Sequence, residues 1–296
     1  MNLGNREIFR KGVQNPEGPV CLADGSWLVT EMDEALISHI SADGRSKNEI
    51  AKTGKPNGLT LDRNGDIWVA DAQWGALLKV ELSGKVLVIS SGGPGLPFLL
   101  PNDLCFGPDH AIYMTDSGVL LEDLDQLESE RDIYDLDFDG RVFRIDPVSE
   151  SVELIDNGLK LTNGIAFGPD GDFLYVAETL TGNIYRYKIT SGELRGGREE
   201  FANVLIRDPA KYRNVAGPDG MAFDRCGYLY VAVLAQGDIT VISPSGDIHR
   251  RVDVDGDMPT NIAFDRTQHR RALVTEGSKN QLLWIKSEND GLPLYG

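Results

Sequence analysis

Short apolar runs alternate with polar turn clusters along almost the whole chain. GLTLD is followed by RNGD and then IWVAD; GIAF is followed by GPDGD and then FLYVAE. Runs this short, rich in β-branched and aromatic residues and punctuated by glycine, predict strands rather than helices. A third run usually follows (ALLKVEL, GRVFRID, NIYRYKI, DITVISP, QLLWIKS), and a fourth in several places (KVLVIS, SVELID, DIHRRVDV). The elements predicted are antiparallel, four strands to a unit.

These units are copies of one phrase. It reads PEGPVCLADGSWLVTEM from Pro16, PNGLTLDRNGDIWVADA from Pro56, PNDLCFGPDHAIYMTDS from Pro101, TNGIAFGPDGDFLYVAET from Thr162, PDGMAFDRCGYLYVAVL from Pro218 and PTNIAFDRTQHRRALVTEG from Pro259. The starts are 40, 45, 61, 56 and 41 residues apart. Such periods with strand grammar predict the blades of a propeller. The expectation is an all-β six-bladed β-propeller, a single domain over residues 1–296. The last copy lacks an outer strand, so residues 6–11 are expected to supply one and close the ring.

A propeller lines its channel with the first strand of each blade. The second position of the phrase holds Glu17, Asn57, Asn102, Asn163, Asp219 and Thr260. It is expected just before that strand, which places all six residues at one end of the channel. Glu31, Asp71, Asp116, Glu178 and Glu276 end the second strands and return to the same face, farther from the axis. Asp71, Asp116 and Glu178 are expected to cap turns, with Asp116 also able to orient a ligand or a water. The lengthened connections, residues 118–140, 207–217 and 90–100, emerge on that face too and are expected to form lids.

Composition alters the picture in two respects. With 296 residues, 41% of them hydrophobic, the chain can bury a sizeable core. A net charge of −17, from 46 acidic and 29 basic residues, argues against nucleic-acid or anionic-membrane partners. No apolar run is long enough to span a membrane, and MNLGNREIFRKGV lacks the apolar middle of a signal peptide. The cytoplasm is therefore expected. Cys21, Cys105 and Cys226 are expected to be small buried residues in a reducing compartment, and the oligomeric state is left open.

Among the second positions, Glu17 and Asp219 offer anionic oxygens, while Asn102 and Asn163 offer carboxamide oxygens. Such a donor set suits a hard divalent cation, Ca²⁺ first, with Zn²⁺, Mg²⁺ or Mn²⁺ as alternatives. None of the four histidines occupies the repeated position, which weighs against a histidine-rich zinc site. Asn or Asp before a strand also closes turns through its own side chain. That simpler role is expected for Thr260 and competes at Asn57 with contact to a substrate.

PEGP, LPNDL, TNGIAF and GPDGMAF, with the ending GLPLYG, make the chain resemble the senescence-marker-protein/gluconolactonase/luciferin-regenerating family. Its members are six-bladed propellers that bind one catalytic divalent metal and hydrolyse lactones; paraoxonases and diisopropyl fluorophosphatase are related. The resemblance implies metal ligation by Glu17, Asn163 and Asp219, with Asn102 as a further ligand or a substrate contact. It also gives Asp219 a catalytic role as base or nucleophile. Sugar-lactone members often carry arginine two residues before the position of Asn102, whereas here Leu100 stands there. Together with Phe98, Leu99 and the apolar residues of 118–140, this directs the expectation toward a less polar lactone or ester. Asn57, Asn102, Leu100 and Asp116 are the candidate substrate contacts; packing of Phe98–Leu100 beneath a lid is the competing role. A phosphotriesterase or arylesterase on the same site, or a non-catalytic ligand-binding propeller, are the alternative functions. A metal-free triad has no support, since no G-x-S-x-G phrase is present.

Overall fold

The computed structural model describes residues 6–206 and 215–296. Six antiparallel sheets, five of four strands and the fourth with a short fifth strand, follow one another as blades of a ring. Their inner strands are Pro16–Cys21, Pro56–Leu61, Pro101–Phe106, Thr162–Phe167, Gly217–Phe223 and Pro259–Phe264. Each inner strand packs against the next, and the sixth packs against the first. Arg6–Lys11 pairs antiparallel with Gln281–Lys286 and completes the sixth blade as its outer strand. The ring is thus closed by main-chain hydrogen bonds between the two ends of the fold.

The second strands explain why the blades stack. Trp27–Glu31, Ile67–Asp71 and Ile112–Asp116 are buried at every residue, as strands covered on both faces must be. An aromatic residue on one blade's second strand meets the phenylalanine ending the next blade's inner strand. Trp68 lies edge-on to Phe106, Tyr113 to Phe167, Tyr175 to Phe223 and Tyr230 to Phe264, with ring centroids 6.1, 4.9, 4.9 and 5.1 Å apart. Such pairs add about 0.5–1.5 kcal/mol each beyond area burial.

Hydroxyls staple the blades nearer the axis. Thr30 Oγ1 donates to the carbonyl of Asn57 at 2.6 Å, Thr115 Oγ1 to that of Asn163 at 2.6 Å, and Thr179 Oγ1 to that of Pro218 at 2.9 Å. Thr260 Oγ1 does the same to Pro16 at 2.6 Å, across the closure. In the first, third and fourth blades the second strand or the residue after it therefore fixes the start of the following blade, where the candidate chemistry sits.

A cavity of about 460 Å³ runs down the axis toward the opposite face. Its wall is made by small residues at the fifth position of the phrase, among them Cys105, Ala166, Ala222 and Ala263. Residues 290–296 cross this end of the channel from blade to blade. Leu292 N donates to Phe223 O at 2.9 Å, Arg225 N to Asp290 O at 2.9 Å, and Tyr295 Oη to Gly168 O at 3.3 Å. The Tyr295 ring packs on Phe167, and Gly296 lies against the backbone of Leu61. Removing residues 290–296 should lower Tm by about 5–10 °C, because two large side chains lose their burial; thermal unfolding followed by circular dichroism measures it.

Residues 118–139 carry a one-turn helix, Leu121–Asp125, and a 3₁₀ segment, Glu130–Asp135. Their apolar side chains, with Ala72, Leu100 and Leu180, make a small core on the face holding the second positions. Residues 90–100 form a hairpin, Gly92–Gly93 against Leu96–Pro97. Most of the third expected lid, residues 207–214, lies outside the described residues. Only Cys21 is buried as expected: Cys105 is half-buried and Cys226 exposed in a turn, and all three are unpaired. Among the described residues no helix is long and apolar enough to cross a membrane.

Candidate functional site

The second position lies inside the inner strand, not before it. In all six blades the pairing register slips near these positions: across the second and third in four blades, as between Pro218 and Met221, across the third and fourth in the first blade, and across the second in the sixth. A bulge there breaks the strict alternation of the strand and re-aims side chains. Glu17, Asn57, Asn102, Asn163, Asp219 and Thr260 are all buried at this end of the channel.

The two carboxamides are held in the same way. Asn102 Nδ2 donates to Ser117 Oγ at 3.0 Å and Asn163 Nδ2 to Thr179 Oγ1 at 3.2 Å. Anchoring the amide nitrogen on a second-strand hydroxyl fixes which way each carbonyl oxygen faces. Ser117 and Thr179 in turn donate to Thr162 O and Pro218 O of the next blade. Both amides are thus tied into the inter-blade staples.

The third position supplies two residues that the second-position pattern does not reveal. Four blades have glycine there: Gly18, Gly58, Gly164 and Gly220. The third and sixth blades, opposite each other in the ring, have Asp103 and Asn261 instead, both buried. The glycines make room for them. A Cβ at Gly58 would strike Asp103, and one at Gly220 would strike the Asn261 amide. Asp103 Oδ1 accepts from its neighbour Leu104 N at 2.9 Å, and Asn261 Nδ2 donates to Glu17 Oε2 at 3.1 Å. The sequence signal was the exception to glycine in those two blades.

Three carboxylates therefore sit within electrostatic reach of one another. Burial, followed by the charge of Asp103, pushes Glu17 up to about 8. Burial pushes Asp103 up to about 7. Asp219 is raised by burial and then by the charges of Glu17 and Asp103, while the Asn163 amide beside it favours the ionised form. No Lys or Arg of the described residues is among the main groups acting on any of them. Buried carboxylates without a basic partner call for a cation or for protons.

The donor set fits a hard divalent cation through mixed ligands. Among the described residues no three Asp, Glu, His or Cys side chains form a metal cluster by themselves. A site here needs the amide oxygens of Asn102 and Asn163 beside Glu17 and Asp219. Oxygen-only ligation of that kind suits Ca²⁺.

The remaining candidates have structural partners. Asp116 is fully buried and accepts from Leu99 N at 2.6 Å, Leu100 N at 3.0 Å and Gly118 N at 2.9 Å. Its oxygens hold the loop entering the blade and the root of the 118–139 segment, which matches turn capping rather than substrate contact. Leu100 is buried with Val119 and Leu180, and Phe98 lies edge-on to Phe143 with centroids 5.0 Å apart. Both pack beneath neighbouring segments, the competing role expected for them. Thr260 joins the sixth blade to the first and also meets Thr275 Oγ1 at 2.8 Å. Asn57 is buried, and its carbonyl accepts from Thr30. The other outer acids cap turns: Asp71 accepts from Gly54, Lys55 and Trp74 N–H groups, Glu276 from Met258, Ser278 and Lys279. Glu178 accepts from Lys160 N, and Glu31 from Gln14 N and the Lys47 ammonium.

The fold is a six-bladed propeller with the second-position side chains of all six inner strands buried at one end of its channel. The chain belongs to the SMP-30/gluconolactonase/LRE-like family, whose model matches residues 15–278. A gluconolactonase from Zymomonas mobilis is 29% identical over 96% of this chain and 79% of its own length. Among solved structures, regucalcin from Agrobacterium tumefaciens, a calcium-binding protein, superposes with a TM-score of 0.79 at 18% identity, covering 99% of this chain and 97% of that one. A gluconolactonase from Xanthomonas campestris gives 0.77 at 20% identity, covering 95% and 89%. At these identities the two structural likenesses speak to the fold.

Proposed function

We propose that this chain is a divalent-metal-dependent lactonase, with Glu17, Asn102, Asn163 and Asp219 holding the ion, Ca²⁺ first. The observation that carries this is the set of buried carboxylates with no basic partner among the described residues, flanked by two amides with anchored nitrogens. The family and the Zymomonas relative support lactone hydrolysis as the reaction class. Three unpaired cysteines are in keeping with the cytoplasm.

A bound cation would polarise the ring carbonyl and stabilise the charge that develops there during attack by water. The protein's own groups do the rest. Asp219, its ionised form favoured by Asn163, takes the proton from the attacking water and later returns it to the ring oxygen as the C–O bond breaks. Asn57 and Asn102 offer polar contacts to the substrate. The core of residues 118–139 covers the same face and excludes water from the reacting centre.

The substrate class follows from that cover. Leu100 takes the place of a cation, Val119, Phe138 and Leu180 surround it, and Leu120 and Met258 present exposed apolar side chains on the same face. We assign a less polar lactone than gluconolactone. On a panel of alkyl-substituted lactones, gluconolactone, aryl esters and phosphotriesters, assayed with and without chelator, an alkyl lactone should exceed gluconolactone at least about tenfold in kcat/KM, the scale of one or two buried methylenes. Chelator should abolish turnover. Phosphotriesters leading the panel would overturn the reaction class, and chelator-resistant turnover would overturn the metal.

A further inference from the structure

We infer that Asn261 is a positioning residue: its amide fixes the Glu17 carboxylate from the adjacent sixth blade and so sets the affinity of the metal site. The inference rests on the metal reading of that site and adds a residue from a position outside the proposed ligand set.

The geometry is over-determined. Asn261 Oδ1 accepts from Ile262 N at 2.8 Å, which fixes the amide plane and leaves Nδ2 facing Glu17 Oε2 at 3.1 Å. Its carbonyl accepts from Thr275 Oγ1 at 3.2 Å, locking the backbone. Gly220, beside Asp219, presses on the amide so closely that no side chain larger than hydrogen fits there. One neutral NH₂ group therefore meets the Glu17 carboxylate in a fixed orientation. Glu17 Oε2 also accepts from Gly18 N at 3.2 Å, so that oxygen is held twice and Oε1 is left for other work. An amide at this place adds donors without adding charge, whereas Lys or Arg would compete with a cation.

The test is a double-mutant cycle on Ca²⁺ affinity, measured calorimetrically with Ca²⁺ alone, on Asn261→Ala, Glu17→Gln and the double variant. Asn261→Ala should weaken Ca²⁺ binding about 10–100-fold, the usual cost of losing a group that orients a ligand. In the Glu17→Gln background the same change should cost less than about threefold, because its target is already altered. Asn261→Leu keeps nearly the size, removes the donors without adding charge and repeats the measurement should the alanine variant fail to fold; it should weaken binding about as much. Wild-type affinity in a folded Asn261 variant, or costs that simply multiply in the double variant, would overturn the inference and leave the metal site standing. Failure of the unaltered protein to bind any of Ca²⁺, Zn²⁺, Mg²⁺ or Mn²⁺ would overturn the metal reading itself.

Discussion

Asp219→Ala should lose metal binding and hydrolysis together, with affinity for Ca²⁺ down by more than about 100-fold, since changes one shell out already cost 10–100-fold. Asp219 is buried, lies within reach of the Glu17 and Asp103 charges and has Asn163 beside it. Removing it takes away both an anionic ligand and the group assigned to move the proton. Asn57→Ala is the contrast: Asn57 shares the ring position but stands outside the proposed ligand set, so metal affinity should stay within about threefold while KM rises. Calorimetry and steady-state kinetics on the same preparations separate the two variants. Wild-type affinity in Asp219→Ala would remove the assignment. Equal loss in Asn57→Ala would spread it around the whole ring.

The architecture was legible because the repeat is strict where folding needs it. Pro16, Pro56, Pro101, Thr162 and Pro259 each begin an inner strand in the structure, and Arg6–Lys11 closes the ring as its position in the sequence required. The bulge was not legible. Strand periodicity assumes that successive side chains alternate, and a bulge breaks that rule without leaving a marker in hydrophobicity. Asp103 and Asn261 were missed for the same reason: their neighbours Asn102 and Thr260 occupy the position compared across blades. Only Gly58 and Gly220, at the same position of the neighbouring blades, betray the space that these two side chains fill. Leu100 and Asp116 show a different limit. A loop residue and an acid beside a site read equally well as contact or as support, and the backbone N–H groups that saturate Asp116 come from Leu99, Leu100 and Gly118, whose approach no spacing predicts. The helix Leu121–Asp125 spans little more than one turn, too short for a periodic signal.

Stripped of metal, the protein should become more stable as pH falls from 8.5 to 6, opposite to its behaviour when loaded. Glu17 is pushed from 4.5 to about 8 and Asp103 from 3.8 to about 7, both by burial first, and Asp219 moves the same way. Groups with raised folded-state values bind protons in the native chain that the unfolded chain has released. Between the unfolded and folded values the native state carries the extra protons, so stability declines as pH rises through that window. Below it the native carboxyls are neutral and their mutual repulsion is gone; above it three buried charges face one another. A saturating divalent cation supplies the missing countercharge and favours the ionised forms, so the loaded protein should show a flat or rising profile over the same range. The expected difference is a Tm at least about 3 °C higher at pH 6 than at pH 8.5 in chelator, equivalent to about 1 kcal/mol for a chain of this size. Glu17→Gln, which removes one of the three titrating groups, should flatten the chelated profile. A chelated profile that rises with pH, in parallel with the loaded one, would mean that these carboxylates do not share a dry axial site.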